Sequence, residues 1–155
     1  MTYAINPTTW RTDKASLMFI REQVFVQEQC VPVVDEWDDK DETATHFLVR
    51  TTEGNPIACA RLLIENGAGK NLFHIGRVAV LAEHRKHGVG RNLMKDVISY
   101  CKALHINYKI YLHAQLSRQH FYEHLGFVAQ GTTFMDAGIP HIEMWFFDEE
   151  VENTL

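Results

Sequence analysis

The run His74–Met94, HIGRVAVLAEHRKHGVGRNLM, decides how this chain of 155 residues is read. Just upstream and within it, Leu72, His74, Gly76, Val78 and Val80 alternate with Phe73, Ile75, Arg77 and Ala79. Both sets are mostly apolar, which predicts a central strand over 72–80 buried on two sides. From Val89 to Leu104 the period changes: Val89, Leu93, Val97, Tyr100, Cys101 and Leu104 share one stripe, with Arg91, Asn92, Lys95 and Lys102 outside it. That is an amphipathic helix. Between strand and helix lies a tight basic loop with two glycines. Backbone N–H groups that open a helix have no internal partner, and the aligned peptide dipoles add about half a positive charge there, so the arrangement is built for an anion. Gly88 and Gly90 remove side chains that would block its approach, and Arg85, Lys86, His87 and Arg91 add donors.

The familiar nucleotide motifs do not fit this loop. A Walker A loop needs GxxxxGK followed by Ser or Thr, and a dinucleotide fingerprint needs a third glycine where Leu93 stands. What is present is RxxGxG, Arg85 to Gly90. The flanking chain supplies more elements. Leu17, Ile20, Val24 and Phe25 recur at helical spacing over 13–29, and short apolar runs at 46–50 and 57–64 are separated by the turn former EGNP. A second turn is expected at 66–69, a strand at 109–114, a short helix over 118–125 capped by a left-handed Gly126, and a last strand at 142–147. The segment VPVVDEWDDKDE at 31–42 carries six acids after Pro32 and reads as an acidic loop. Such a loop would steer a cation from a distance or simply be solvated.

With 46% hydrophobic and 23% charged residues, the composition is that of an ordinary folded domain, and one domain over 1–155 is expected. The net charge of -5 argues against nucleic acid as a partner. No stretch approaches a membrane span and the N-terminus has no apolar signal core. Cys30, Cys59 and Cys101 are odd in number and without a CxxC pair, so neither a disulfide framework nor a zinc site is indicated, no metal is expected, and the cytoplasm is the natural compartment.

Together the RVAV strand, the RxxGxG loop, the following helix and FYEHLGF downstream resemble, in order and spacing, the GNAT superfamily of N-acetyltransferases over about 15–147. REQVFVQEQCVPVVDEWDDKD and DAGIPHIEM resemble its ElaA-like branch. The resemblance implies an α/β fold of the α+β type, the acyl-CoA N-acyltransferase fold, with a mixed, mostly antiparallel sheet of six or seven strands, helices on both faces and a cleft where two central strands splay. It implies acetyl-CoA as co-substrate, its diphosphate at Arg85, Lys86, His87, Gly88, Val89, Gly90 and Arg91 and its pantetheine arm along Val78, Ala79 and Val80. Gln115 stands where many relatives carry an Asn facing that arm. Tyr122 matches the tyrosine that protonates the departing sulfur; the plain alternative is a core aromatic beside Phe121 and Leu125. The amine also needs a base. Glu28, His74 and His113 are candidates, with Glu28 ranked first because it lies where the branch resemblance is strongest. The implied reaction is direct attack of a primary amine of a small molecule or peptide on acetyl-CoA. A non-catalytic acyl-CoA-binding module, and more remotely an acyl-homoserine lactone synthase-like enzyme, are the competing readings. Dimers are common among similar proteins, so a homodimer is a further expectation, with the apolar MWFF segment as core or interface.

Overall fold

A computed structural model describes residues 2–148. Its elements, in chain order, are β1 Tyr3–Thr8, α1 Trp10–Arg21 running into a π-helical turn Glu22–Glu28, α2 Val33–Glu36, β2 Thr45–Thr51, β3 Pro56–Gly67 and β4 Lys70–Val80. There follow α3 Val89–Leu104, β5 Lys109–Gln115, α4 Gln119–Glu123, β6 Phe127–Asp136 and β7 Ile139–Phe146. The seven strands form one sheet in the order β1-β2-β3-β4-β5-β7-β6. Only β4 and β5 run parallel, because α3 carries the chain back across the sheet between them. The fold is the mixed, mostly antiparallel α+β architecture that the resemblance implied.

Two apolar layers hold the sheet. On one face Leu93, Met94, Val97 and Cys101 of α3 pack on Phe47, Leu62, Phe73, Ile75 and Leu112. Each such side chain stabilises by about 1.5–3 kcal/mol on burial, which is why the stripe on α3 was visible in the sequence. On the other face Leu17, Ile20, Val24 and Phe25 of α1 and its π-turn cover Leu48, Cys59 and Ala79.

Several elements depart from the sequence reading. β1 and β6 were not expected; β1 contains Pro7 and β6 is exposed over most of its length, so neither shows a clean alternation. Helix α1 starts at Trp10, where Thr9 accepts from the Thr12 amide at 3.2 Å, rather than at Asp13. The segment over 31–42 contains α2 and buries Glu36 and Asp41 at 3% and 4% exposure, so it is packed and not a solvated acidic loop. The β3–β4 turn is tighter than 66–69: Gly67 pairs with Lys70, and Ala68 and Gly69 take the left-handed φ of 51° and 76° that a two-residue hairpin requires.

One irregularity shapes the centre of the sheet. In β3–β4, Cys59 faces Ala79 and Arg61 faces Gly76, so Ala60 stands against both Arg77 and Val78. Arg77 takes up the extra residue with a φ of 51°. This β-bulge reverses the alternation. Phe73 and Ile75 point to the α3 face before it, and Val78 and Val80 do so after it. The sequence reading had placed Val78 and Val80 on the face of His74.

Candidate active site

β4 leads into the loop through a short helical turn at Ala82–His84, and Gly88 ends the loop as the N-cap of α3 with a φ of 78°. A residue with a Cβ adopts that conformation only under strain. Gly90 has a different reason to be small. A Cβ there would lie 3.5 Å from Phe121 Cζ and 3.5 Å from Val80 Cγ2, so the position faces protein packing rather than the open loop. Among the described residues, the backbone N–H groups from Lys86 to Arg91 donate to no other part of the chain. Six consecutive unpaired amides at a helix mouth form a concave anion cradle.

The cradle opens onto a cavity of about 920 Å³ that runs through the sheet. The opening follows from strand pairing. β4 and β5 are paired from Leu72 with Lys109 to Ile75 with Leu112, and no further. Beyond that fork the strands part, and the edge of Gly76 to Val80 that faces β5 is left without a ladder partner. Val78, Ala79, Val80, Arg85, Lys86, Gly88, Val89, Gly90, Arg91, Gln115 and Tyr122 all line this cavity, whereas His87 does not. Tyr122 is 9% exposed, and no hydrogen bond ties its hydroxyl to another described residue. Burial pushes its phenol up to about 12, so the group stays protonated at neutral pH. The cleft thus joins an anion cradle, a free strand edge and a proton-bearing hydroxyl.

A family model, the acetyltransferase (GNAT) domain, matches residues 11–146. The chain belongs to the GNAT family. Relatives agree. An uncharacterized N-acetyltransferase of Bacillus subtilis, YjcF, is 35% identical over 127 residues, which cover 81% of this chain and 86% of that protein. The crystal structure of Escherichia coli ElaA superposes with a TM-score of 0.84 at 28% identity, over 94% of this chain and 100% of that one. An acyl-CoA N-acyltransferase from Pseudomonas aeruginosa does so with a TM-score of 0.83, also at 28% identity and with the same coverage. This GNAT protein is therefore an acyltransferase, and the cavity through its β4–β5 fork is the candidate active site.

Two residues singled out in the sequence are engaged differently from expectation. Glu28, at the end of the π-turn, holds Arg85 by a bidentate pair, Nη1 to Oε2 at 2.5 Å and Nη2 to Oε1 at 2.6 Å, while Arg85 Nε donates to the Val80 carbonyl at 2.9 Å. The hydrogen bonds from Arg85 hold the Glu28 carboxyl below its ordinary range. A carboxylate so paired is a weaker base than a free one. Arg85 in turn commits three of its five side-chain N–H donors to Val80 and Glu28. Gln115 gives its amide to Gln29 Oε1 at 2.7 Å and so links β5 to the π-turn across the cleft.

On the α1 side of the fork the GNAT cleft has a second wall. His113, the first β5 residue beyond the paired stretch, has Nε2 at 3.3 Å from Glu143 Oε1, and Trp145 Nε1 donates to the other Glu143 oxygen at 3.0 Å. His74 packs its ring on Tyr111 at 4.4 Å and edge-on to His113 at 5.0 Å. Burial, with His113 beside it, lowers the His74 pKa to about 4 and keeps it neutral. Three acids of the segment are bound to arginines, Glu36 and Asp41 to Arg21 at 2.7 Å each and Asp38 to Arg61 at 2.8 Å, while Asp35, Asp39 and Glu42 are exposed. The charges of Glu36, Asp38 and Asp41 are thus balanced locally. Glu143, Arg61 and Arg77 were missed because a lone charge within an apolar strand carries no motif; the odd placement of a charge at a core-facing register was the available signal.

Proposed function

We propose that the protein transfers the acetyl group of acetyl-CoA to a primary amine of a small molecule or peptide by direct attack. The row of unpaired amides from 86 to 91, opening onto the cavity at the β4–β5 fork, carries this reading. Those amides and the side chains of Lys86 and Arg91 suit a diphosphate, and the free edge of Val78 to Val80 suits the amide-bearing arm of coenzyme A. When bound, acetyl-CoA supplies an acyl group activated as a thioester. The residues of the chain then do the rest. His113, oriented by Glu143, takes the proton that an acceptor ammonium must lose before its nitrogen can attack; the pairing of Glu28, the first-ranked candidate, with Arg85 supports this choice. Tyr122, kept protonated by its burial, hands its proton to the leaving sulfur. The donors of the cleft wall replace water around the developing charge.

Calorimetry with coenzyme A at millimolar concentration, followed by thiol release from acetyl-CoA with a panel of amines, tests the proposal. Binding heat and release with some acceptors are expected. Absence of binding heat overturns it, and binding without release for every amine would favour a non-catalytic acyl-CoA module.

A further inference from the structure

The acceptor wall holds more donors than it uses. Arg61, 5% exposed, gives Nη1 to Asp38 at 2.8 Å and Asp41 at 3.2 Å, yet its Nε is buried with no hydrogen-bond partner. Arg77 gives Nη2 to Asp38 and to the carbonyls of Asp35 and Glu36. Its Nε lies 3.2 Å from Glu36 Oε1, near enough for charge attraction but outside hydrogen-bond geometry. Among the described residues these two nitrogens are the only buried side-chain polar atoms left unmatched, and both are donors. A buried donor without a partner is rare in folded proteins. The carboxylates around them are already engaged: Glu36 by Arg21 and Arg77, Asp38 by Arg61 and Arg77, Asp41 by Arg21 and Arg61. What this wall lacks is an acceptor.

There is room for one. Both arginines line the cavity at the fork. Gly76 stands across from Arg61 in the strand register, and a Cβ built on it would meet nothing within 4 Å. The position needs no positive φ, so backbone conformation does not account for the glycine. The absent side chain leaves a hollow opposite Arg61 in a cavity that His74 and His113 also line. In charge, Arg21, Arg61 and Arg77 balance Glu36, Asp38 and Asp41, and Lys40 adds a further cation to the lining. The remaining acids of the lining, Asp35 and Asp136, are exposed.

We propose that this hollow receives a carboxylate on the acceptor, so that the acceptor is an amino-acid-like molecule bearing both a primary amine and a carboxylate. The inference rests on the N-acetyltransferase reading and names its substrate class. The Arg61 guanidinium is the principal donor, and the space over Gly76 is where the carboxylate sits.

Matched sets of α-, β- and γ-amino acids, their carboxamides and the corresponding plain amines separate the possibilities in a thiol-release assay. At least one amino acid should exceed its carboxamide and amine tenfold or more in kcat/KM. Gly76→Val should raise KM for that amino acid at least tenfold while leaving the calorimetric affinity for coenzyme A unchanged. Should Arg61→Lys fail to fold, the wild-type protein labelled with 15N at arginine Nε provides a second reading. One buried Nε–H signal should shift on adding the amino acid and stay in place on adding its carboxamide. Carboxamides and plain amines turned over as well as the amino acids, an unaltered KM in Gly76→Val, or an unmoved Nε–H signal would overturn the carboxylate site and leave the transferase reading standing. Thiol release with none of the amines would remove the transferase reading itself.

Discussion

Tyr122 combines two properties that the reaction needs in one group. It is buried enough that its phenol is pushed up to about 12, and its hydroxyl is committed to no other described residue. A hydroxyl that stays protonated throughout the neutral range has a proton to offer the departing thiolate, and because the ordinary thiol pKa is about 8.5 the transfer is uphill unless the same burial raises the sulfur as well. Tyr122→Phe is therefore expected to lower kcat by about 100-fold, the low end for loss of a general acid. Affinity for coenzyme A, followed by calorimetry, should be unchanged. A core-packing residue would instead show a lowered Tm with kcat preserved, since Tyr122 also touches Phe121 and Phe127. The tyrosine was legible because FYEHLGF is a motif. The partners of Arg85 were not, because Glu28 lies 57 residues away and sequence separation conceals a bidentate pair.

At the scale of elements, the junction of β4, the loop and α3 makes unequal demands on its two glycines. Gly88 occupies a φ of 78°, where an added Cβ costs about 1–2 kcal/mol. Gly90 is helical and its Cβ would make ordinary contacts with Phe121 and Val80. Gly88→Ala should lower both Tm and the affinity for coenzyme A, while Gly90→Ala should hold Tm within about 2 °C and retain binding, as thermal unfolding and calorimetry would show. The order strand, loop, helix was legible because each element changes the hydrophobic period: two along β4, then 3.6 along α3. The bulge was not. Strict alternation is the only rule available for a strand read from sequence, and Arg77, a residue without glycine's freedom, gives no sign that it adopts a left-handed conformation. For the same reason β6 escaped notice, since its pairing with β7 is interrupted between Gln130 and Phe134 and its exposed residues follow no period.

Across the whole molecule, stability should depend on acid in a direction set by its buried histidines. Burial brings His74 from an ordinary 6.5 to about 4 and shifts His46 the same way. Between those values the unfolded chain binds a proton at His74 that the folded protein does not, so stability falls as pH is lowered from 6.5 to 4, by roughly 3 kcal/mol for this one residue. Asp38, whose carboxyl is held low by its arginines, acts at still lower pH: its contribution is present above the ordinary carboxylate pKa and disappears as pH drops through its folded value. Urea unfolding at pH 7, 5.5 and 4 should show the decline, and His74→Gln should flatten the part between 6.5 and 4. The arginines and acids behind this response also bind α1, α2, β3 and β4 into a single block. Facing that block across the cleft is the β6–β7 hairpin, where Asp136, Ala137, Ile139 and His141 reach the cavity from a turn on the surface. One jaw is thus clamped by mutual charge and the other is mounted on a short surface loop, so substitutions in the hairpin can reshape the cavity without breaking a buried ion pair.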